Sequence, residues 1–462
     1  MTSTAIWWIR RDFRLIDNQA LSAAIHSADS VLPVFIFDPV LEQRDAPAKR
    51  HYLEGVLRGL AEVIAAQGGR LILRQGKPSQ VLHDLQQEIQ AAGIFAEADV
   101  SPYARKRDAR VQASLPLTLT AGVTAIPPDV VLKADGTPYT VYTPFSKAWK
   151  QQPQPAARFT TEAVRWSQLE TASLPLPDAN PLFAEDALAT LVEFTRSRIF
   201  SYQQTRNRVD LEGTSRLSPA FHLGLISASQ AVTLARQALD STGDPAQVKS
   251  AQTWLNEVIW REFYASILYH FPAVRQHAFR EKYRNLQWLD DPTGFAAWQQ
   301  GLTGYPIVDA AMRQMNTTGW MHNRARMIVA SFLVKDLLID WKWGEEYFMQ
   351  QLIDGDIANN NGGWQWTAGV GTDAAPYFRI FNPILQSKKF DLHGDYIRKY
   401  VPELADLPEA SIHEPWKMTP LEQQNYGVIL GETYPHPIIN HQFARQRTLA
   451  AYGELKESPP NK

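Results

Sequence analysis

Short apolar runs alternate with helix-spaced apolar residues over the first 130 positions, and few folds accommodate that order. Ala5 to Ile9, Val31 to Phe37, Arg70 to Arg74 and Ile94 to Ala98 read as buried strands, with Val123 to Ile126 as a further one. Between them, Asn18 to His26, Arg50 to Gln67 and Ser79 to Ala92 carry a helical pattern, the second closing on Gly68 and Gly69. Strands too apolar to keep a wet face, separated by helices, fold as a parallel sheet covered on both sides. The expected class is α/β for residues 1–130. Neither GxGxxG nor GxxxxGK[ST] occurs, so the dinucleotide fingerprint and the P-loop are excluded. A ligand of such a sheet sits at the carboxyl ends of its strands.

Residues 131–185, rich in Pro, Gln, Ala and Ser from about Lys150, read as an inter-domain connection. From 186 to 462 the pattern is helical almost throughout, and prolines fall between the periodic segments. Lys and Arg number 46 against 48 Asp and Glu, so the net charge is −2 and any contact with nucleic acid needs a local basic face. The chain has no cysteine, which removes disulfides, thiolate metal sites and cysteine nucleophiles and fits a reducing cytoplasm. No metal site is expected. The longest apolar segment, Met327 to Trp341, is broken by Lys335 and Asp336, so no membrane span is expected.

Chemistry concentrates in the helical part. Asp354 to Pro383 packs two acids (Asp354, Asp356), three asparagines (Asn359, Asn360, Asn361), a Gly-Gly pair and two tryptophans into one stretch. It reads as a ligand site or as a Gly-rich turn between helices. Arg196 to Ser218 holds five arginines against Asp210 and Glu212 and ends in GTSRLSP, a phosphate cradle or an ordinary helix cap. In WLNEVIWREFY, Trp254, Glu257 and Arg261 share a helical face with Trp260 close by. An acid among aromatics can be tuned as a proton donor, though Glu257 and Arg261 also make a plain i,i+4 pair. On a helix from Met321 onward, Asn323, Arg326 and Met327 share a face, and Asp354 is the acid expected to pair with Arg326. Fourteen tryptophans fit either a helical core or electron transfer.

WWIRRDFRL, GTSRLSP, WLNEVIWREFY, TGYPIVDAAMRQMNTTGWMHNRARM, FLVKDLLIDWKWGEEYF and the DGD-to-FNP stretch, in this order, resemble the photolyase and cryptochrome family over nearly the whole chain. The resemblance implies a Rossmann-like α/β antenna domain and an all-helical FAD-binding domain. It points to the cyclobutane pyrimidine dimer (CPD) photolyases, whose blue-light-excited FADH⁻ passes an electron to a flipped-out dimer in ultraviolet-damaged DNA and splits it.

Position by position, Glu257 matches the acid that hydrogen-bonds the dimer, and Trp260 and Trp366 match the aromatic walls beside it. Asn323 and Met327 match the helix face next to the substrate, and Asn360 the asparagine near flavin N5. Tyr202, Thr214, Ser215, Leu217, Ser218, Trp254, Arg261, Arg326, Asp354 and Asp356 match flavin and phosphate contacts. Trp364, Trp341 and Trp288 match the relay that carries electrons to oxidised flavin, and Arg206, Arg324 and Arg379 match phosphate contacts around the lesion.

A (6-4) photolyase would carry histidines where this chain has Asn323 and Met327, and a plant or animal cryptochrome would carry Asp or Cys in place of Asn360. Repair is therefore expected, with a cryptochrome-like photoreceptor as the alternative. Phe35, Asp38, Arg50 and Asp99 resemble an antenna pocket of the 8-hydroxy-5-deazaflavin type rather than the methenyltetrahydrofolate type, with Ser101 where that pattern has an acid. A cytoplasmic monomer is expected.

Overall fold

The computed structural model describes residues 3–42, 46–153 and 156–457. Contacts within the chain divide it into two compact units. The first comprises Met1–Gln203, Ser215–Pro272 and Ile353–Ala358; the second comprises Gln204–Thr214, Ala273–Leu352 and Asn359–Lys462.

The first unit is built on a parallel sheet of β1 (Thr4–Ile9), β2 (Ser30–Phe37), β3 (Ile72–Gln75), β4 (Gly93–Glu97) and β5 (Leu117–Thr120), in the order β3-β2-β1-β4-β5. The central strand β1 pairs with β2 in the register Ile6 to Leu32 and with β4 in the register Ile6 to Ile94. Every residue of β1 is buried, as a strand covered on both faces requires. The helices α1 (Gln19–Ser27), α2 (Pro47–Ala66), α3 (Pro78–Ile89) and α4 (Pro102–Gln112) supply the crossovers. Asn18 caps α1 by accepting from the Leu21 amide, and Gly68 leaves α2 at φ +78°. Helix α2 starts three residues before the pattern implied, with Pro47 pre-set for a first turn. Helix α3 stops early because Gln90 turns left-handed at φ 50°.

The strand expected at Val123 to Ile126 is not one; the fifth strand is Leu117–Thr120. The reason is a competition for backbone groups. Ala125 N and Ile126 N donate to the Glu262 carboxylate at 2.9 and 3.1 Å, and the Val123 carbonyl accepts from Arg261 at 2.7 Å. Both side chains come from the long helix α6 (Pro245–His270), introduced here with α5 (Tyr142–Gln151), which packs along it through Phe145 against Phe263 and a hydrogen bond from Trp149 Nε1 to Glu262. Farther along the connection, the chain runs beside the sheet. Val31 N donates to the Arg165 carbonyl, Ser167 N to the Val31 carbonyl, and Leu174 N to the Leu73 carbonyl. Leu73 N in turn donates to Ser173 Oγ.

The second unit is helical. Its core gathers Trp298, Trp341, Trp364, Phe332 and Tyr452, each at most 2% exposed. The charges that interrupt the apolar segment lie inside this core on a π-helical turn, Phe332–Asp336. Lys335 Nζ donates to the Ala368 carbonyl at 2.8 Å over the Tyr452 ring, and Asp336 meets His441 Nδ1 at 2.5 Å. Among the described residues no helix is long and apolar enough to cross a membrane.

Candidate functional site

Helix α6 organises the first unit's share of the candidate residues. Asp244 caps it by accepting from the Ala246 amide, and Pro245 begins its first turn. Helical spacing then places Trp254, Glu257 and Arg261 on one face at i, i+3 and i+7, with Trp260 about one turn after Glu257. Trp254 is buried and donates through Nε1 to Ser215 Oγ at 3.4 Å. Its ring meets Phe194, which meets Tyr202, so three of the expected flavin contacts (Tyr202, Ser215, Trp254) belong to one packed group. Leu217 is buried and leads into the short helix Ser218–Leu223 after Arg216, held at φ 54°. Glu257 and Trp260 are half-buried. Arg261 spends its guanidinium on the Val123 carbonyl and comes within 3.8 Å of Glu262. Burial holds its pKa below the ordinary value, although Asp356 and Glu262 act against the shift.

Asp354 and Asp356 belong to the same unit. Arg11 Nη2 donates to Asp356 Oδ2 at 2.7 Å, its Nη1 lies 3.5 Å from Asp99, and its Nε donates to the His222 carbonyl. Burial opposes the Arg11 charge, but the two carboxylates outweigh it and hold its pKa above the ordinary value. Half-buried His222 is held well below its ordinary pKa by desolvation first and then by Arg11 and Lys49, so it is neutral. Burial, with Asp354 adding to it, pushes the Tyr52 hydroxyl up to about 12. Arg11 is a residue that sequence reasoning passed over; its signal was the Arg-Arg pair directly after an apolar strand.

The antenna candidates separate. Asp38 is buried and accepts from the Tyr103 hydroxyl at 2.5 Å, while Phe35 packs against Phe13 and Phe37. Burial and then Asp38 raise the Tyr103 pKa to about 12. Asp99 turns to Arg11 and to the Ser101 amide, and Arg50 is exposed on α2.

In the second unit, α7 (Asn323–Ser331) begins two residues later than Met321, with His322 as its cap. Asn323 and Met327 are neighbours one turn apart, with Nδ2 3.9 Å from Sδ, and Arg326 Nε donates to the Met321 carbonyl. Arg324 donates to Asn207 Oδ1 from Nε and Nη2 at 3.2 and 2.7 Å and lies over the Phe390 ring. Burial first, then repulsion from Arg206 and Arg379, bring its pKa down to about 10. Three like charges close enough to perturb one another favour a polyanion beside them.

Residues 357–368 are helical, which removes the reading of a Gly-rich turn: Ile357–Ala368 is one helix, α9, preceded by α8 (Trp341–Gln351). Its asparagines divide their work. Asn361 is buried and structural, donating to the Val274 carbonyl and to Glu345 while accepting from Gln365. Asn360 is half-buried, and its Nδ2 donates to the Glu345 carbonyl at 2.9 Å. That bond uses one of the two N–H donors of the amide, and Oδ1 is its acceptor end. Trp364 is buried between Trp298 and Phe348, with ring centroids 6.1 and 5.0 Å away, and Trp366 is half-buried. Trp341 is buried at the start of α8, and half-buried Trp288 meets the Tyr452 ring at 6.4 Å. Thr214 also falls in this unit.

The chain matches two family models: DNA photolyase over residues 5–163 and the FAD binding domain of DNA photolyase over residues 254–454. It is 41% identical to a deoxyribodipyrimidine photo-lyase of Synechococcus sp., over 99% of this chain and 98% of that one. It is 40% identical to that of Escherichia coli, over 97% and 98%. Among solved structures it resembles a class III photolyase of Agrobacterium tumefaciens (36% identity, TM-score 0.92, 99% and 98% covered) and a cryptochrome of Synechocystis (29%, 0.89, 97% and 99%). An archaeal photolyase of Sulfolobus tokodaii with two FAD molecules is also similar (29%, 0.79, 98% and 100%).

Proposed function

The chain belongs to the DNA photolyase and cryptochrome family, and we propose that it is a light-dependent deoxyribodipyrimidine photo-lyase that repairs ultraviolet-damaged DNA. What carries the reading is the run of relatives of that name along nearly the full length of the chain. FAD, in its fully reduced form and excited by blue light, supplies the electron that splits a cyclobutane pyrimidine dimer. The protein supplies the binding, orientation and electrostatics around that chemistry.

Ser215, Ser218 and Thr214 hold phosphate, and Tyr202, Leu217, Trp254, Arg261, Arg326, Asp354 and Asp356 hold the rest of the cofactor. Asn323 stands at both cofactor and lesion. Arg11 fixes the Asp356 carboxylate through a short charge-assisted bond. Asn360 offers its oxygen to the ring N–H. Trp260 and Trp366 give flat faces to a dimer taken out of the helix, with Met327 beside them. Glu257 hydrogen-bonds the dimer and stabilises the negative charge that develops on it. Arg206, Arg324 and Arg379 bind the backbone phosphates, which relieves their mutual repulsion. Trp364, Trp341 and Trp288 return oxidised cofactor to the active state by relaying electrons inward.

An 8-hydroxy-5-deazaflavin type of antenna is the reading favoured for the group around Phe35 and Asp38, with Arg50 and Asp99 as outlying candidates. The proposed domain limits are 1–130, 131–185 and 186–462, and the proposed state is a cytoplasmic monomer. Likeness to the Synechocystis cryptochrome supports a second reading, a blue-light photoreceptor without repair activity. One experiment separates them: loss of thymine dimers from a defined oligonucleotide, with reduced protein under blue light against a dark control. Repair confined to the light supports the lyase; FAD bound and reduced with no repair supports the photoreceptor.

A further inference from the structure

Trp260 does not stand alone on its helix. Tyr142, the first residue of α5, lies flat on its indole with ring centroids 3.7 Å apart and planes within 3°. The other aromatic neighbours meet the same indole differently, Phe263 edge-on at 5.6 Å and Tyr264 tilted at 5.5 Å. Among the described residues, Tyr142 is the ring stacked face to face on Trp260. Its far end is fixed too, because the hydroxyl donates to the Asn256 carbonyl at 2.9 Å. Asn256 lies four residues before Trp260, so this is the carbonyl that the helical ladder assigns to the Trp260 amide. Lys150, the next-to-last residue of α5, donates to Asn256 Oδ1 at 2.9 Å, and Tyr142 also meets Phe263 edge-on at 6.0 Å. One side chain thus holds both the plane of the indole and the helical turn that carries it.

We propose that Tyr142 is a positioning residue for lesion recognition, backing one face of Trp260 so that the indole is presented as a rigid platform to an extruded pyrimidine dimer. This rests on the reading of Trp260 as a lesion-stacking wall. A tryptophan free to rotate about its two side-chain torsions would lose that freedom on binding; stacked on Tyr142, it has lost it beforehand. The effect falls on affinity for the dimer and leaves the photochemical step alone, because Tyr142 acts through Trp260. It also falls on damaged DNA only, because phosphate contacts elsewhere set the affinity for undamaged DNA.

The test compares Tyr142→Ala, Tyr142→Leu and Tyr142→Phe with Trp260→Ala, by equilibrium binding to an oligonucleotide holding one thymine dimer and to its undamaged counterpart. Quantum yield at saturating substrate is measured alongside, and FAD content and melting temperature report folding. The Ala and Leu variants should raise Kd for the dimer about 3- to 10-fold, the range of an aromatic pair, with undamaged DNA and quantum yield unchanged. The Phe variant, which keeps the stack, should bind within about twofold of the parent. The Leu variant keeps apolar bulk under the indole, so it carries the test if the Ala variant does not fold. Tight dimer binding by the Leu variant while Trp260→Ala binds weakly would overturn the proposal, as would a loss in the Phe variant equal to that in Leu. Tight binding by Trp260→Ala would instead remove the underlying role of Trp260.

Discussion

Gly344 lies directly under the indole of Trp364, so close that a Cβ added there would fall inside the contact radii of Cη2, Cζ3 and Cζ2. Gly344 is one turn into α8, whose first residue is Trp341. A helix interior normally disfavours glycine by about 1 kcal/mol relative to alanine, so its presence here reflects the approach of the ring.

Gly344→Ala should therefore destabilise the protein by about 1–2 kcal/mol, overpacking outweighing the gain in helix propensity. Displacing Trp364 should also slow photoreduction of oxidised flavin. A melting temperature and photoreduction rate equal to the parent's would show that the indole is not held there.

Trp364→Phe should abolish photoreduction of the oxidised cofactor and spare repair by protein reduced beforehand. Absorbance bleaching under blue light with an external reductant reads the first, and dimer loss the second. Normal bleaching would break the proposed relay.

Glu257→Ala should leave FAD bound and lower the quantum yield of repair, because a hydrogen bond to a charged group, worth about 1.5–3 kcal/mol, no longer favours ring opening. An unchanged yield at saturating substrate would take Glu257 out of the mechanism.

Arg324→Ala should weaken binding of damaged and undamaged DNA alike and lower the slope of log K against log salt by about one charge. A loss confined to damaged DNA would place Arg324 against the lesion and not the backbone.

Lys335 gives a pH signature. Burial lowers its pKa to about 7 from an ordinary 10.5. Between those values the unfolded chain holds a proton that the folded protein releases, so stability rises with pH across that window and levels off below about 7, where both states hold the proton. The slope approaches about 1.4 kcal/mol per pH unit. Urea unfolding of the parent at pH 7.5 and 8.5 should show this gain, and Lys335→Met should flatten it. Equal slopes would mean that the amine keeps its charge inside.

Four of the five strands were legible as short apolar runs, and the three inner ones, β2, β1 and β4, are covered by neighbours and have little else to show. Val123 to Ile126 has the same run and is not a strand, since its backbone is claimed by Glu262 and Arg261, more than 130 positions away in sequence. No local pattern carries that information. The motif residues of α6 were legible as one helical face from spacing alone. The partners were not: Arg11 for Asp356, Tyr142 for Trp260 and Gly344 for Trp364 come from distant segments that only the fold brings together. Three adjacent asparagines looked alike, and hydrogen bonding separates the buried brace Asn361 from the half-buried Asn360.

The stretch beside β3 has a consequence for the life of the chain before and after folding. A parallel sheet that ends in open strands is a template for a stray β segment, and slow-forming parallel sheets expose such edges longest. Ser173 and Leu174 occupy the groups of Leu73 on one outer strand. The other outer strand has four residues, and the donors of Ala125 and Ile126 beyond it are already taken. The segment that reads as a mere connection thus guards the sheet against self-association, and deleting residues 165–174 should cost solubility on refolding before it costs any chemistry.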